Sequence, residues 1–294
     1  MGRTIQKKIA DFSLIGAGRL GTALTLGLVA KGLTLKVISD CSLKKARILR
    51  RLAGQGRATT DNLKAASSAG ILFLCVPDDL IPEVVQEISV ADFTNKTVFH
   101  TSGASSSALL EPLARRGAAI ASFHPVQTFA ALKTDPAIFK GIYFGLEGQS
   151  QAIAIGMQLA KKLGGHCLLL ADEDKPLYHL ACSVSSNFLV VLLAEVKRLL
   201  ETLGFEEKAF LEIIEPLLKR TLQNVKNLGL EKSLTGPVVR GDLKTVRRHL
   251  TITSKFPAFD RIYRAMALEA LKIGEKTGLD KDKVRALRRL LKQK

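Results

Sequence analysis

The sequence contains no tryptophan and three tyrosines in 294 residues, which leaves little aromatic surface for stacking on nucleobases. Its four cysteines, Cys41, Cys75, Cys167 and Cys182, stand singly, without a CxxC pair or a spacing suited to zinc. Reduced thiols are expected, with Cys75 and Cys182 acting as small buried hydrophobes rather than nucleophiles. No uninterrupted apolar run reaches the roughly 18 to 20 residues of a membrane span, and Met1–Ala10 lacks the apolar stretch of a secretory signal. A cytoplasmic protein without a membrane partner is expected. Acidic residues are also scarce, 27 against 44 Lys and Arg, for a net charge of +17. A basic surface attracts polyanions, but the basic residues are spread along the chain and concentrate only in Lys281–Lys294, in the pattern of a solvated amphipathic helix end. Specific nucleic-acid binding is therefore not expected.

What remains is the composition of an ordinary globular protein, since 47% hydrophobic and 24% charged residues carry no signature of disorder. The length suits two domains. From Ile9 the chain reads strand (Ile9–Ile15), glycine turn, helix (Arg19–Lys31) and strand (Leu33–Ser39), a βαβ unit. The alternation continues through a helix at Ser42–Ala53, the apolar run Ile71–Val76, a helix at Leu80–Ile88 and the strand Thr97–His100. Further strands are expected at Ala119–Phe123, Ile142–Leu146 and His166–Leu170, with a helix between the last two. Apolar runs alternating with helices predict a parallel sheet covered on both faces. After Asp172 only long helical segments follow. The predicted fold is therefore α/β, a doubly wound Rossmann sheet over residues 1–171 followed by an all-helical domain over 172–294.

The turn Gly16-Ala17-Gly18-Arg19-Leu20-Gly21 is a GxGxxG placed after a strand and opening a helix. In that position the first glycine permits the tight turn, the second lets a pyrophosphate approach the backbone, and the third lets helix and strand pack closely. The helix N-terminus adds amides and a positive dipole end for the phosphates. Asp40, ending the second strand, is placed to accept from the adenosine ribose hydroxyls, which favours NAD. Ser39, Ser42, Lys44 and Lys45 crowd the same loop, however, and suit the extra phosphate of NADP. Val76-Pro77-Asp78-Asp79 ends the next core strand where a loop lies over a cofactor; Asp78 and Asp79 are equally explained as helix caps.

Strand carboxyl ends gather at the ligand crevice of such sheets. The loops His100–Ala104 and Phe123–Gln127 thus bring Ser102 and His124 to where nicotinamide and substrate would meet, while His100 reads as a strand-end histidine bonded to backbone. On the long helix, His179, Ser183, Ser186 and Asn187 share one ideal helical face. Hydride transfer at a carbon bearing oxygen or nitrogen needs a proton donor or acceptor, a role suited to His179, with Asn187 positioning substrate or carboxamide and Ser183 beside it. His179 is equally readable as a satisfied interface histidine. The turn-rich segment Leu234–Asp242 carries Arg240, either a clamp for a substrate carboxylate or phosphate or the partner of Asp242 in a structural pair.

Taken in order, Gly16–Gly21, Val76–Asp79, His100–Ala104, Ser122–Phe129, Tyr178-His179 through Ser186-Asn187, and Leu234–Asp242 with His249 resemble the predicted oxidoreductases that join a Rossmann domain to a C-terminal helical domain of unknown function. More distantly the chain is similar to prephenate dehydrogenase, pyrroline-5-carboxylate reductase, ketopantoate reductase and deazaflavin-dependent NADP reductase. His124-Pro125 is similar to the His-Pro step of prephenate dehydrogenases. The catalytic lysine that hydroxyisobutyrate dehydrogenases and ketopantoate reductases carry four residues before the helix asparagine is replaced by Ser183 here, so their mechanism does not transfer. The resemblance implies hydride exchange with a small, anionic carbonyl, imine or hydroxy compound, and a homodimer formed through the helical domain. A non-catalytic dinucleotide sensor would share the same glycine turn and helical domain.

Overall fold

A computed structural model describes residues 10–131 and 135–293. The expected strand start at Ile9, the N-terminal stretch Met1–Ile9 and the terminal Lys294 lie outside them. The chain folds as two compact units, Met1–Phe188 and Leu189–Lys294.

The first unit contains β1 (Asp11–Ile15), α1 (Arg19–Ala30), β2 (Thr34–Ser39), α2 (Leu43–Ala53), β3 (Arg57–Thr59), α3 (Asn62–Ser67), β4 (Ile71–Leu74), α4 (Ile81–Ile88), β5 (Thr97–His100), α5 (Glu111–Ala114), β6 (Ala119–Pro125), β7 (Tyr143–Gly148), α6 (Ser150–Leu163), β8 (His166–Leu169) and α7 (Lys175–Ser183). The strands form one sheet in the order β3-β2-β1-β4-β5-β6-β7-β8. All pairs are parallel except β6 with β7. Strand β3 had no sequence signal, because three residues at a sheet edge are too short to show a period.

Side chains alternate across each strand, so every central strand feeds two cores. Phe73, Phe99, Phe123 and Phe144 form a continuous row of rings on one face, with adjacent centroids 4.7–5.5 Å apart. Ile15, Leu72, Leu74, Val98 and Ile120 fill the opposite face against α3 and α4. Ser122 and His124 share the second face with Ile120, and they replace the apolar period only at the carboxyl end of β6.

The unit boundary at Phe188 differs from the expected division at 171/172. The reason is polar: Lys175 and Tyr178 of α7 hydrogen-bond to residues of the sheet and its loops, which holds this helix to the Rossmann core. A π-helical turn, Val184–Phe188, follows α7.

The second unit comprises α8 (Leu189–Glu201), α9 (Glu207–Leu228), α10 (Leu230–Ser233), α11 (Pro237–Arg240), α12 (Leu243–Thr253), α13 (Pro257–Lys276) and α14 (Lys281–Lys292). Its core is built from Val246, Leu250, Leu271, Val284, Leu287 and Leu291 among others. Helix α14 buries its Val284, Leu287 and Leu291 stripe and leaves basic residues outward, as its amphipathic pattern predicts.

One expectation requires correction. The helix Asp172–Glu201 includes an 18-residue window of mean hydropathy 1.7, none of it buried, and is long and apolar enough to cross a membrane by length and composition. Counting uninterrupted runs missed it, because Ser183, Ser185, Ser186 and Asn187 break the run while the average tolerates them.

Candidate functional site

The glycine turn joins β1 to α1, and its three glycines meet different surroundings. Gly16 has φ +101°, and a Cβ there would stand 2.4 Å from the Cys75 carbonyl oxygen. A Cβ on Gly21 would stand 2.0 Å from the Gly16 oxygen. Gly18 is different: a Cβ on it would meet nothing within 4 Å. It also caps α1 without a side-chain hydrogen bond to the first turn. Helix-start amides not satisfied by a cap side chain suit an anion, and open space at Gly18 is where a pyrophosphate would need to approach. The turn therefore fits a dinucleotide. Ala17 and Leu20 complete the turn with their side chains wholly or partly buried, and Arg19 is exposed beside it.

Asp40 stands at the end of β2, as expected, and its carboxylate also holds backbone. Its Oδ2 accepts the Ala17 amide at 2.8 Å and its Oδ1 accepts the Ser42 amide at 2.8 Å. Both carboxylate oxygens thus tie the glycine turn to the end of β2. Ser42 caps α2 through the Lys45 amide, and Lys44 and Lys45 are exposed next to it.

From β1 the crevice crosses β4, β5 and β6, three strand spacings or roughly 14 Å. The register aligns Ile15, Leu74, His100 and Ser122 in one row across these strands. Val76 is half-buried, and Pro77 caps the single 3₁₀ turn Asp78–Leu80. Ser102 is buried with its hydroxyl committed: it donates to Asp78 Oδ2 at 2.5 Å and accepts the amides of Ala104 and Ser105 at 3.3 and 2.9 Å. This makes it a clamp of the 100–105 loop, with its proton engaged by Asp78 rather than offered to a reacting atom. His100 accepts the Ser102 amide on Nδ1 and bonds the Ser106 carbonyl through Nε2, the strand-end role expected of it.

His124 lies one sheet row further out. Its Nδ1 and the Tyr178 hydroxyl are 2.8 Å apart, and the His179 ring centroid is 6.2 Å from its own. Gly103 closes the third side, since a Cβ there would fall 2.7 Å from His179 and 2.8 Å from His124 Nε2. These rings open into a cleft of about 610 Å³, lined also by Val126, Gln127, Phe129, Cys182, Ser183, Ser185, Ser186 and Asn187. Asn187 Nδ2 donates to Ser183 Oγ at 3.3 Å. Cys182, Ser185 and Ser186 follow the i, i+3, i+4 spacing of one helical face, and the π-turn runs through this lining, a feature frequent at functional sites.

Burial, and then the charge of Lys175, hold His124 down to about 4, so its imidazole is neutral at pH 7. Burial raises the Tyr178 phenol above its ordinary value, and it stays protonated. Sequence reading missed Lys175, which is fully buried and donates to the Ser102 carbonyl at 3.0 Å and to Ser122 Oγ. It also missed Glu147, whose carboxylate accepts the Ser107 amide and hydroxyl at 2.7 and 2.6 Å. The available signal was spacing, because Lys175, Tyr178, His179 and Cys182 recur at helical intervals opposite the alternating Ser122 and His124.

The structure thus brings His124, His179, Ser183 and Asn187 to one cleft. Arg240 belongs to the second unit, where it is exposed at the end of α11. Its neighbour Asp242 caps α12, accepting the Thr245 amide and hydroxyl at 3.0 and 2.7 Å.

Residues 2–125 match a Rossmann-like domain, and residues 142–270 match a domain of unknown function (DUF2520). A pyrroline-5-carboxylate reductase of Vibrio alginolyticus is 38% identical over 93 residues, which is 31% of this chain and 33% of that protein. The match thus spans about a third of that relative's length. A candidate NADP oxidoreductase of Bacteroides fragilis superposes with a TM-score of 0.76 at 24% identity, over 90% of this chain and 98% of its own. A reductive aminase of Aspergillus terreus in complex with NADPH and ethyl-5-oxohexanoate gives a TM-score of 0.60 at 17% identity, over 97% and 93%. The chain therefore joins a Rossmann-like domain to a DUF2520 domain, the pairing that the ordered motifs of its sequence resemble.

Proposed function

We propose that the protein is an NADP-dependent oxidoreductase acting on a small carbonyl, imine or hydroxy compound in the cleft beside His124. The observation that carries this reading is the placement of a neutral His124–Tyr178 hydrogen-bonded pair and His179 at the carboxyl edge of the same sheet that holds an open glycine turn. NADPH, when bound, supplies the hydride. Gly18 and the first-turn amides of α1 would hold its pyrophosphate, while Ser42, Lys44 and Lys45 would face its extra phosphate. This cofactor takes the place of the NAD preference drawn from Asp40, because Ser42, Lys44 and Lys45 crowd the same loop, and it agrees with the NADPH bound to the Aspergillus terreus enzyme. Tyr178, His124 and His179 hold hydrogen bonds at the reacting oxygen or nitrogen, and Ser183 and Asn187 orient the rest of the substrate.

The net charge of +17 suits an anionic substrate. Exposed apolar side chains such as Leu211, Leu217 and Leu222 on α9 suit a second copy of the chain, and we place the dimer in the cytoplasm.

The test is titration with NADPH and with NADH, followed by nicotinamide fluorescence, on wild type and Gly18→Asp. Micromolar NADPH binding that Gly18→Asp abolishes supports the proposal. Binding of neither nucleotide overturns it.

A further inference from the structure

Lysine is almost never fully buried without partners, and a cation in the first turn of a helix opposes the helix dipole. Lys175 does both: it is 0% exposed and is the first residue of α7. Its ammonium reaches through the floor of the site, donating to the carbonyl of Ser102 on one side and the hydroxyl of Ser122 on the other. Ser122 stands two residues from His124 on the same face of β6 and is paired with His100 on β5 and with Glu147 on β7. The ammonium is thus fixed between the loop that carries Gly103 and the strand that carries His124.

We propose that Lys175 is a positioning residue for the reaction: its two hydrogen bonds hold Gly103 and the end of β6 in the spacing that the His124–Tyr178 pair requires, and fix a buried positive charge in the floor of the site. This rests on the oxidoreductase reading of the cleft. The charged and titratable groups around Lys175 and His124 are Asp78 before α4, His100 on β5, Glu147 on β7, Asp172 before α7, and Tyr178 and His179 on α7. Burial pulls Lys175 down to about 8, opposed by Glu147, Asp78 and Asp172, so it remains largely an ammonium at pH 7. At His124 the effect of Lys175 exceeds the opposing effect of Asp78. A proton placed on His124 would be opposed by burial and by the charge of this cation. The consequence is a donor pair that meets the substrate uncharged, whatever the pH between Lys175 and His124 titration.

The experiment is a pH titration of protein labelled with ¹³C at the histidine ring, with His124 identified from the spectrum of His124→Gln. Wild-type His124 should titrate near 4. Lys175→Met, of similar length and no charge, should raise that midpoint by about one pH unit or more, and Lys175→Arg should keep it low. A midpoint unmoved in folded Lys175→Met overturns the proposal, because a purely mechanical clamp leaves titration unchanged. Should Lys175→Met fail to fold, wild type still decides: the His124 signal should shift a second time near pH 8, where Lys175 titrates, and its absence overturns the coupling. Neither readout needs NADPH. Failure of the oxidoreductase reading appears as absent NADPH binding with the midpoint shift intact, and failure of this inference as the reverse.

Discussion

His124 on β6 and Gly145 on β7 stand directly opposite each other in the antiparallel ladder, and it is the missing side chain of Gly145 that lets the Tyr178 phenol reach the histidine. A Cβ at Gly145 would lie 2.6 Å from the Tyr178 hydroxyl oxygen. Gly145→Ala should therefore displace the ring and cost about 1–3 kcal/mol in urea unfolding. The same substitution in a Tyr178→Ala background should cost less, because the obstructing ring is gone. Equal costs in the two backgrounds would show that the close approach is not responsible.

The glycine turn separates folding from binding at neighbouring positions. Gly18 has an ordinary φ of −72° and open space around its missing side chain. Gly18→Ala should leave thermal stability within about 0.5 kcal/mol of wild type while weakening NADPH binding at least tenfold. Gly21→Ala should act in the opposite order, since its Cβ meets the Gly16 backbone oxygen at 2.0 Å. It should lower the melting temperature before any ligand is added. Similar melting temperatures for the two variants would contradict the close packing of α1 on β1.

Acid sensitivity follows from the two buried histidines. Burial first, and the charge of Lys175 second, bring both His100 and His124 to about 4, below the ordinary 6.5. The unfolded chain binds protons from pH 6.5 downward and the folded chain only near 4, so stability is full above about 6.5 and is lost as pH falls toward 4. The loss should be on the order of 2 kcal/mol at pH 5 for His100 alone. Urea midpoints at pH 7 and 5 should differ less for His124→Gln than for wild type. Equal differences would mean that His124 is not held neutral by the fold.

Much of this was legible in the letters, for identifiable reasons. The strand–turn–helix order at Gly16–Gly21 and the apolar runs Ile71–Leu74 and Thr97–His100 carry their structure locally, through period and turn chemistry. His124 was found because it ends a strand. Lys175 was not, since its role depends on Ser102 and Ser122, which lie 73 and 53 residues away in the chain. The π-turn at Val184–Phe188 was not legible either, because a periodicity reading assumes an ideal helix. Asp40 was placed correctly at the end of β2, but its hydrogen bonds to the Ala17 and Ser42 amides were not legible: sequence shows where a carboxylate sits, not which backbone amides it also holds.

Asp40 supplies the last prediction. Asp40→Asn keeps one accepting oxygen and puts an amide where the other carboxylate oxygen now receives a backbone N–H, either from Ala17 or from Ser42. Losing a charge-assisted bond of this kind costs about 1.5–3 kcal/mol and loosens the glycine turn itself. The affinities for NADPH and NADH should then fall together, with their ratio changed by less than about threefold, because the residue shapes the loop rather than reading the ribose. Fluorescence titration of the variant with both nucleotides measures the ratio directly. A selective loss of NADH, with NADPH binding kept or improved, would restore the ribose-reading role and remove the structural one.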